Sequence, residues 1–290
     1  STGDSATLVL TGDTARPDGP AINSVITATR GLEGIENVQF GTASGNFVVI
    51  DATFSSGVDS TEQQEVVKEI RAIPQPAGTT LTVGGAAALV LDGNTAIMNW
   101  LPVMLAIMVG STLVLLFLAF GSVVLPVKAV AMAALSMAAT FGALTFIFQE
   151  GNGASLLGVT PAPLEATFVV LILAVVFGLS TDYEVFLMSR MVEARTAGAT
   201  TEEAVLVGAQ RTGRIVTAAA LILIIVTGAF AISGLSIMRF VGVGMIIALV
   251  IDATIIRMLL VPSLVKLMGE ANWWAPAWMK RVHAKVGIGH

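Results

Sequence analysis

From Ile97 onward the chain is dominated by five apolar runs, at about Ile97 to Phe120, Val123 to Phe148, Phe168 to Met188, Ile215 to Ile232 and Phe240 to Leu267. Wound as helices rising about 1.5 Å per residue, runs of this length cross the roughly 30 Å of a bilayer's hydrocarbon. Hydrocarbon offers no water to unpaired backbone groups, so a segment that crosses it must satisfy them within itself, as a helix does. Composition agrees: 55% of the 290 residues are hydrophobic and only 12% charged, more apolar sequence than a soluble core requires. The expected fold is a membrane α-helical bundle of five transmembrane helices, with Gly121-Ser122 as a tight turn between the first two.

The preceding residues read differently. Ala6 to Leu10 and Thr79 to Val83 suggest strands, and Val38 to Phe54 alternates as two strands turning at Ser44-Gly45-Asn46. Pro20 to Leu32 is helix-like, and Thr61 to Ile73 places apolar residues at helical spacing, with Ser60 as its expected cap. The order β-α-β-β-α-β is that of an α+β ferredoxin-like unit. The expected domains are therefore 1–93, a transmembrane region over 94–268, and a tail over 269–290. The absence of an initiator Met or signal peptide at Ser1 suggests a piece of a longer chain.

Charge separates these regions. The net charge is −5, yet the first 92 residues hold eleven acidic side chains against four basic, and the remainder nine against eleven. Arg190, Arg195, Arg211 and Arg214 fall in an expected loop after the third span, and Lys266, Lys280, Arg281 and Lys285 in the tail; basic loops of this kind face the cytoplasm. The loop from Gln149 to Pro163 has no Lys or Arg and is expected outside. Counting spans then places the N-terminal domain outside as well. Trp273, Trp274 and Trp278 suit an interfacial belt or a short surface helix.

The third span carries Ser180-Thr181-Asp182-Tyr183-Glu184, although an ionised Asp at the centre of a span costs about 2.5–3.5 kcal/mol. Ala174, Gly178 and Asp182 are spaced by four, as are Gly244, Ala248 and Asp252 in the fifth span. Residues four apart share a helix face, and small residues there admit a neighbouring helix, so both acids are expected to face the bundle interior. They are either hydrogen-bonded struts or members of a proton path. Arg257 lies five residues beyond Asp252, about 140° round an α-helix, and is expected to pair with an acid on another span. Glu184 is expected to pair with Arg190, Arg195 or the Arg211 and Arg214 cluster. Ser180, Thr181 and Thr227 can hydrogen-bond between helices.

No cysteine is present, which excludes disulfides and thiolate metal sites. His283 and His290 sit in a basic tail and do not suggest a metal centre. The glycines show no phosphate-binding spacing, and no nucleophile, His and acid form a hydrolase pattern. Enzyme function and nucleic-acid binding are not expected.

The run Ser180 to Arg190, then Arg211-Thr212-Gly213-Arg214, Asp252 to Pro262 and Trp273-Trp274-Ala275-Pro276 resembles the MMPL family of the RND transporter superfamily. Met238-Arg239-Phe240-Val241-Gly242-Val243-Gly244-Met245 looks most like its exporters of mycolate lipids. The resemblance implies an RND-type second half, with residues 1–93 as part of a porter domain and the inner membrane as its location. It implies no cofactor, protons as coupling ion, and a lipid substrate such as the mycolate glycolipid trehalose monomycolate. Asp182 and Tyr183 match the family's proton-relay pair, expected to meet a second Asp-Tyr pair from the N-terminal half of the transporter; Asp252 and Arg257 match further polar residues needed for transport. An efflux pump for drugs, siderophores or other lipids, and a non-transporting scaffold or lipid sensor, remain open alternatives.

Overall fold

A computed structural model describes residues 5–13, 15, 19–158, 161 and 166–287. The chain divides into two compact units, Ser1–Asn99 and Trp100–His290.

In the first unit, β1 (Ser5–Gly12), β2 (Ile35–Ser44), β3 (Phe47–Phe54) and β4 (Thr79–Gly85) form an antiparallel sheet in the order β2-β3-β1-β4. Leu8 stands opposite Ile50 on β3 and Val83 on β4. Alternation along β1 and β3 sends Ala6, Leu8, Leu10, Val48, Ile50 and Ala52 to one face. There they pack on α1 (Pro20–Arg30) and α2 (Ser60–Ala72) through Ile22, Val25, Val67 and Ile70. This order and strand arrangement is the ferredoxin-like one read from the sequence. The cap of α2 is Asp59 and not Ser60. The Asp59 carboxylate accepts from the backbone N–H of Thr61 at 2.8 Å and of Glu62 at 2.9 Å, while Glu62 accepts from the Asp59 N–H at 3.1 Å. Glu62 closes this reciprocal box for Asp59, whereas Gln63, three residues beyond Ser60, donates its amide to the Val58 carbonyl at 3.2 Å.

α3 (Ala86–Phe120) runs on past the boundary at Asn99, and the second unit is helical. α4 (Val124–Leu144) continues into a π-helical turn at Thr145–Gln149, followed by the short α5 (Ala154–Leu157). The expected loop Gln149–Pro163 lies partly outside the described residues, as does His290. Next come α6 (Ala166–Thr196), α7 (Thr201–Ala231) and α8 (Ser236–Val250). From α8 the helix is wound as a π-helix over Ile251–Leu260 and as α9 over Val261–Met268; a 3-10 turn at Gly269–Trp273 leads to α10 (Ala277–Val286). Among the described residues, five helical stretches are long and apolar enough to cross a membrane: Ala86–Phe120, Val124–Gln149, Ala166–Thr196, Thr201–Ala231 and Ile237–Trp273. Large apolar side chains such as Ile107, Ile222 and Ile225 are exposed on them, which suits a hydrocarbon surround.

α3, α6 and α7 outrun the apolar runs, and Arg190 and Arg195 lie within α6 and not in the loop expected for them. Arg211 and Arg214 lie within α7 and not in a loop, because Thr200 and Glu203 cap its start in a box like that of α2. Glycines set the closest approaches. A Cβ on Gly242 of α8 would lie 2.3 Å from the backbone nitrogen of Ala231, at the end of α7. The bundle holds two apolar clusters. One unites Leu144, Ile172, Val176, Phe240 and Ala248, the other Leu125, Leu187, Met191, Ile256 and Val265. Along α6 and the π-helical segment, the charged residues fall between the two.

Candidate functional site: a charged layer between apolar clusters

α6 buries Ile172, Val176, Ser180, Glu184, Leu187 and Met191, a face set by steps of three and four residues. Its polar members meet the π-helical segment. Ser180 donates its hydroxyl to Asp252 Oδ1 at 2.7 Å. Arg257 donates through Nη2 to Asp252 Oδ2 at 2.7 Å and to the Ser180 carbonyl at 3.2 Å. The Arg257 and Asp252 side chains are only 8% and 9% exposed. The guanidinium also lies over the Tyr183 ring, 5.0 Å from its centroid, an arrangement in which the ring face attracts the cation.

This pairing corrects the expectation that Arg257 seeks an acid on another span. The expectation assumed an α-helix, in which five residues turn well past one revolution. In a π-helix the hydrogen bond closes from i to i+5, so residues five apart stack as residues four apart do in an α-helix. Asp252 and Arg257 lie on one such segment and bind each other.

Glu184 is also placed differently. It is buried, and Lys128, Arg257 and Asp252 are the charges near enough to act on it. Three of the arginines expected to pair with it are engaged elsewhere: Arg190 and Arg211 with Glu193, and Arg195 with Glu270. Two residues beyond Asp182, Glu184 falls on the packed side of α6. Glu184 Oε1 and Arg257 Nη1 are buried without a hydrogen-bond partner among the described residues.

Lys128 is the member that sequence reasoning missed. It is buried on α4, and its ammonium lies 3.9 Å from the Met188 sulfur of α6. The signal was available, since Lys128 is the one charged residue in the run Val123 to Phe148, and an interior charge carries the same presumption of function as Asp182. The four groups Lys128, Glu184, Asp252 and Arg257 balance in sign when all are ionised.

Asp182 is not in this layer. Ala174, Gly178 and Asp182 are all exposed, while Gly244, Ala248 and Asp252 are buried. The spacing placed each trio on one face correctly but could not say which face is covered. Asp182 is two residues from both Ser180 and Glu184, about 200° round the helix, so the face that packs within this chain is the opposite one. A Cβ on Gly178 would meet nothing within 4 Å, whereas one on Gly244 would strike Ile172 and Leu144 side chains at 2.9 and 3.1 Å. Tyr183 links the two sides: it adjoins Asp182 in sequence and carries Arg257 on its ring. Thr227 bonds only within its own helix, to the Leu223 carbonyl at 2.8 Å.

The arrangement joins an open carboxylate to a buried, nearly closed set of charges through one aromatic residue. Among the described residues, no three His, Cys, Asp or Glu side chains come together as a metal site.

Comparison with known proteins gives this geometry its context. Residues 22–286 match the family described as "MMPL family". The chain is 50% identical over 232 residues, 80% of its length, to the trehalose monomycolate exporter MmpL3 of Mycobacterium tuberculosis, of which it covers 25%. It is 34% identical to the mycolic acid-containing lipids exporter MmpL11 of Mycolicibacterium smegmatis, over 82% of this chain and 25% of that protein. Against the membrane protein YdfJ of Bacillus subtilis the identity is 33%, over 91% of this chain and 37% of that protein. The chain thus spans about a quarter of the length of its mycobacterial relatives.

Proposed function

This chain belongs to the MMPL family, and on that premise we propose that it is the proton-coupling second half of an exporter that moves a mycolate glycolipid, of the trehalose monomycolate kind, out across the inner membrane. The names of its mycobacterial relatives support the substrate. The observation that carries the coupling role is the open face of α6, where Asp182 stands exposed beside Tyr183 with Arg257 behind it. A carboxylate on the uncovered side of a membrane span is costly unless another polar segment lies against it. We assign that cover to the N-terminal half of the transporter, which would bring a second Asp-Tyr pair.

In this reading Asp182 and Tyr183 form the proton relay. Protonation of Asp182 removes a negative charge on one side of Tyr183, and the Arg257–Asp252–Ser180 clamp registers the change on the other. Because the clamp ties α6 to the π-helical segment, a shift of α6 is transmitted to α8 and α9. Each proton moved inward supplies about 2.3 kcal/mol per 100 mV of membrane potential and about 1.4 kcal/mol per pH unit. Placement of basic residues supports an orientation with the C-terminal tail and the helix segments bearing Arg190 and Arg195 toward the cytoplasm and the porter unit outside. We read no enzymatic step in the cycle.

The test is Asp182→Asn in the natural-length protein. Among the described residues the Asp182 side chain makes no hydrogen bond or ion pair, so the variant should reach the membrane at normal abundance with unchanged thermal stability while glycolipid export stops. Export at the wild-type rate would refute the assignment. Export that survives a protonophore would point to a scaffold or sensor instead.

A further inference from the structure

The segment beyond the last span holds a feature that proton coupling does not use. α10 presents three sides. Met279 and His283, four residues apart, turn toward the α3–α4 corner, where His283 packs edge-on against Phe117 with ring centroids 6.0 Å apart. A Cβ on Gly121 would come within 3.0 Å of that imidazole, and Gly121 has a φ of +66°, so a glycine is required there on both counts. The corner is bolted to the tail. Ser122 donates its hydroxyl to the Asn272 carbonyl at 2.6 Å, and the Val123 N–H donates to the Trp274 carbonyl at 3.1 Å.

The second side of α10 is an open apolar edge of Trp278, Val282 and Val286, again at intervals of four, with Trp274 exposed just before it. The third side is cationic. Lys280, Arg281 and Lys285 are all exposed, none makes an ion pair among the described residues, and no Asp or Glu occurs from Ala271 to Gly287. Where Met279 meets the ends of α3 and α4 there is a cavity of about 200 Å³, lined by Leu113, Phe117, Val123, Pro126 and Val127 and almost wholly apolar.

We propose that this corner binds an anionic phospholipid of the adjacent leaflet, with one acyl chain in the cavity and the phosphate held by Lys280, Arg281 and Lys285. Met279, which lines the cavity, and Lys280, on the cationic side, are consecutive residues of α10, so the chain and headgroup of one lipid would reach the helix at neighbouring positions. An amphipathic helix with a basic face and exposed Trp lies in the membrane interface, and basic clusters next to a span attract anionic headgroups. A second copy of this chain is a poor occupant, because two copies of a face with charge of one sign repel across a symmetric contact. The site is separate from the charged layer of α6 and would anchor the α3–α4 corner whichever way the coupling cycle turns.

The experiment measures lipid retention on the natural-length protein in detergent by native mass spectrometry, with dioleoyl phosphatidylglycerol, dioleoyl phosphatidylcholine and glycerol 3-phosphate as probes. Each basic residue contributes about a fivefold preference for an anionic headgroup. Phosphatidylglycerol should therefore bind about 100-fold more tightly than phosphatidylcholine, and K280Q/R281Q/K285Q should erase the difference. Val127→Trp, which fills the cavity from an exposed position, should weaken both lipids and leave the charge preference intact. High salt should reduce the preference of the unmodified protein, a readout independent of how any variant folds. Equal binding of the two phospholipids, retention unchanged by the triple substitution, or full competition by glycerol 3-phosphate would overturn the proposal. So would a dimer that the triple substitution dissociates.

Discussion

Replacing Asp252 tests whether the Asp252–Arg257 pair is the fulcrum of the bundle. Asp252→Leu strips a guanidinium with 8% exposure of its 2.7 Å carboxylate and takes the acceptor from the Ser180 hydroxyl. Arg257 would keep the Ser180 carbonyl at 3.2 Å and the Tyr183 ring, neither of which cancels its charge. Breaking a buried pair by removing one partner costs about 3–5 kcal/mol, whereas replacing both partners with apolar residues is often neutral or stabilising. Asp252→Leu should therefore lower unfolding stability by about 4 kcal/mol, roughly a thousandfold in the equilibrium. Asp252→Leu combined with Arg257→Met should return to within about 1 kcal/mol of the original. The assay is reversible unfolding of the purified protein in mixed micelles by titration with a denaturing detergent. A single substitution costing under about 1 kcal/mol would show that Arg257 draws its compensation elsewhere, with Glu184 the first suspect. A double variant as unstable as the single one would refute the pairing itself.

The remaining predictions concern the rest of the layer and the helix contact beside it. Lys128→Met leaves buried Glu184 without its lysine and should destabilise the protein by about 3 kcal/mol in the same assay; adding Glu184→Gln should restore most of that loss, and no restoration would deny their interaction. Gly242→Ala places a methyl against the backbone of Phe230 and Ala231 at 2.3–2.8 Å and should cost about 1–3 kcal/mol. Gly208→Ala meets mainly the flexible Met191 side chain and should cost less. A reversed order in unfolding midpoints would show that α7 and α8 do not meet at Gly242.

Much of this architecture is legible in the residues. Alternation along Val38–Phe54 yields β2 and β3, and the five apolar runs yield the spans, because both patterns reflect which side of an element is buried. Helix ends were harder: α7 begins at Thr201, well before its apolar stretch, since Thr200 and Glu203 cap a helix whose first turns are polar. The site was legible in identity but not in arrangement. Asp252 and Arg257 stand out as charges in apolar sequence, yet their contact depends on π winding, which leaves no periodic trace in so short a segment. The trio Ala174, Gly178 and Asp182 shows the opposite limit. Spacing assigns residues to a face, but only packing decides that Ser180 and Glu184 turn inward while Asp182 is left open.

That open face is the centre of the functional account, and it can be probed directly. Val175, 39% exposed and seven residues before Asp182, lies on the same side of α6. A photoreactive benzoylphenylalanine at position 175 of the natural-length protein, irradiated in membranes and mapped by mass spectrometry, reports what covers it. The account predicts adducts to polypeptide outside residues 1–290, from the half that carries the second Asp-Tyr pair. Adducts to lipid alone would contradict it, because Asp182 would then face hydrocarbon with no relay partner.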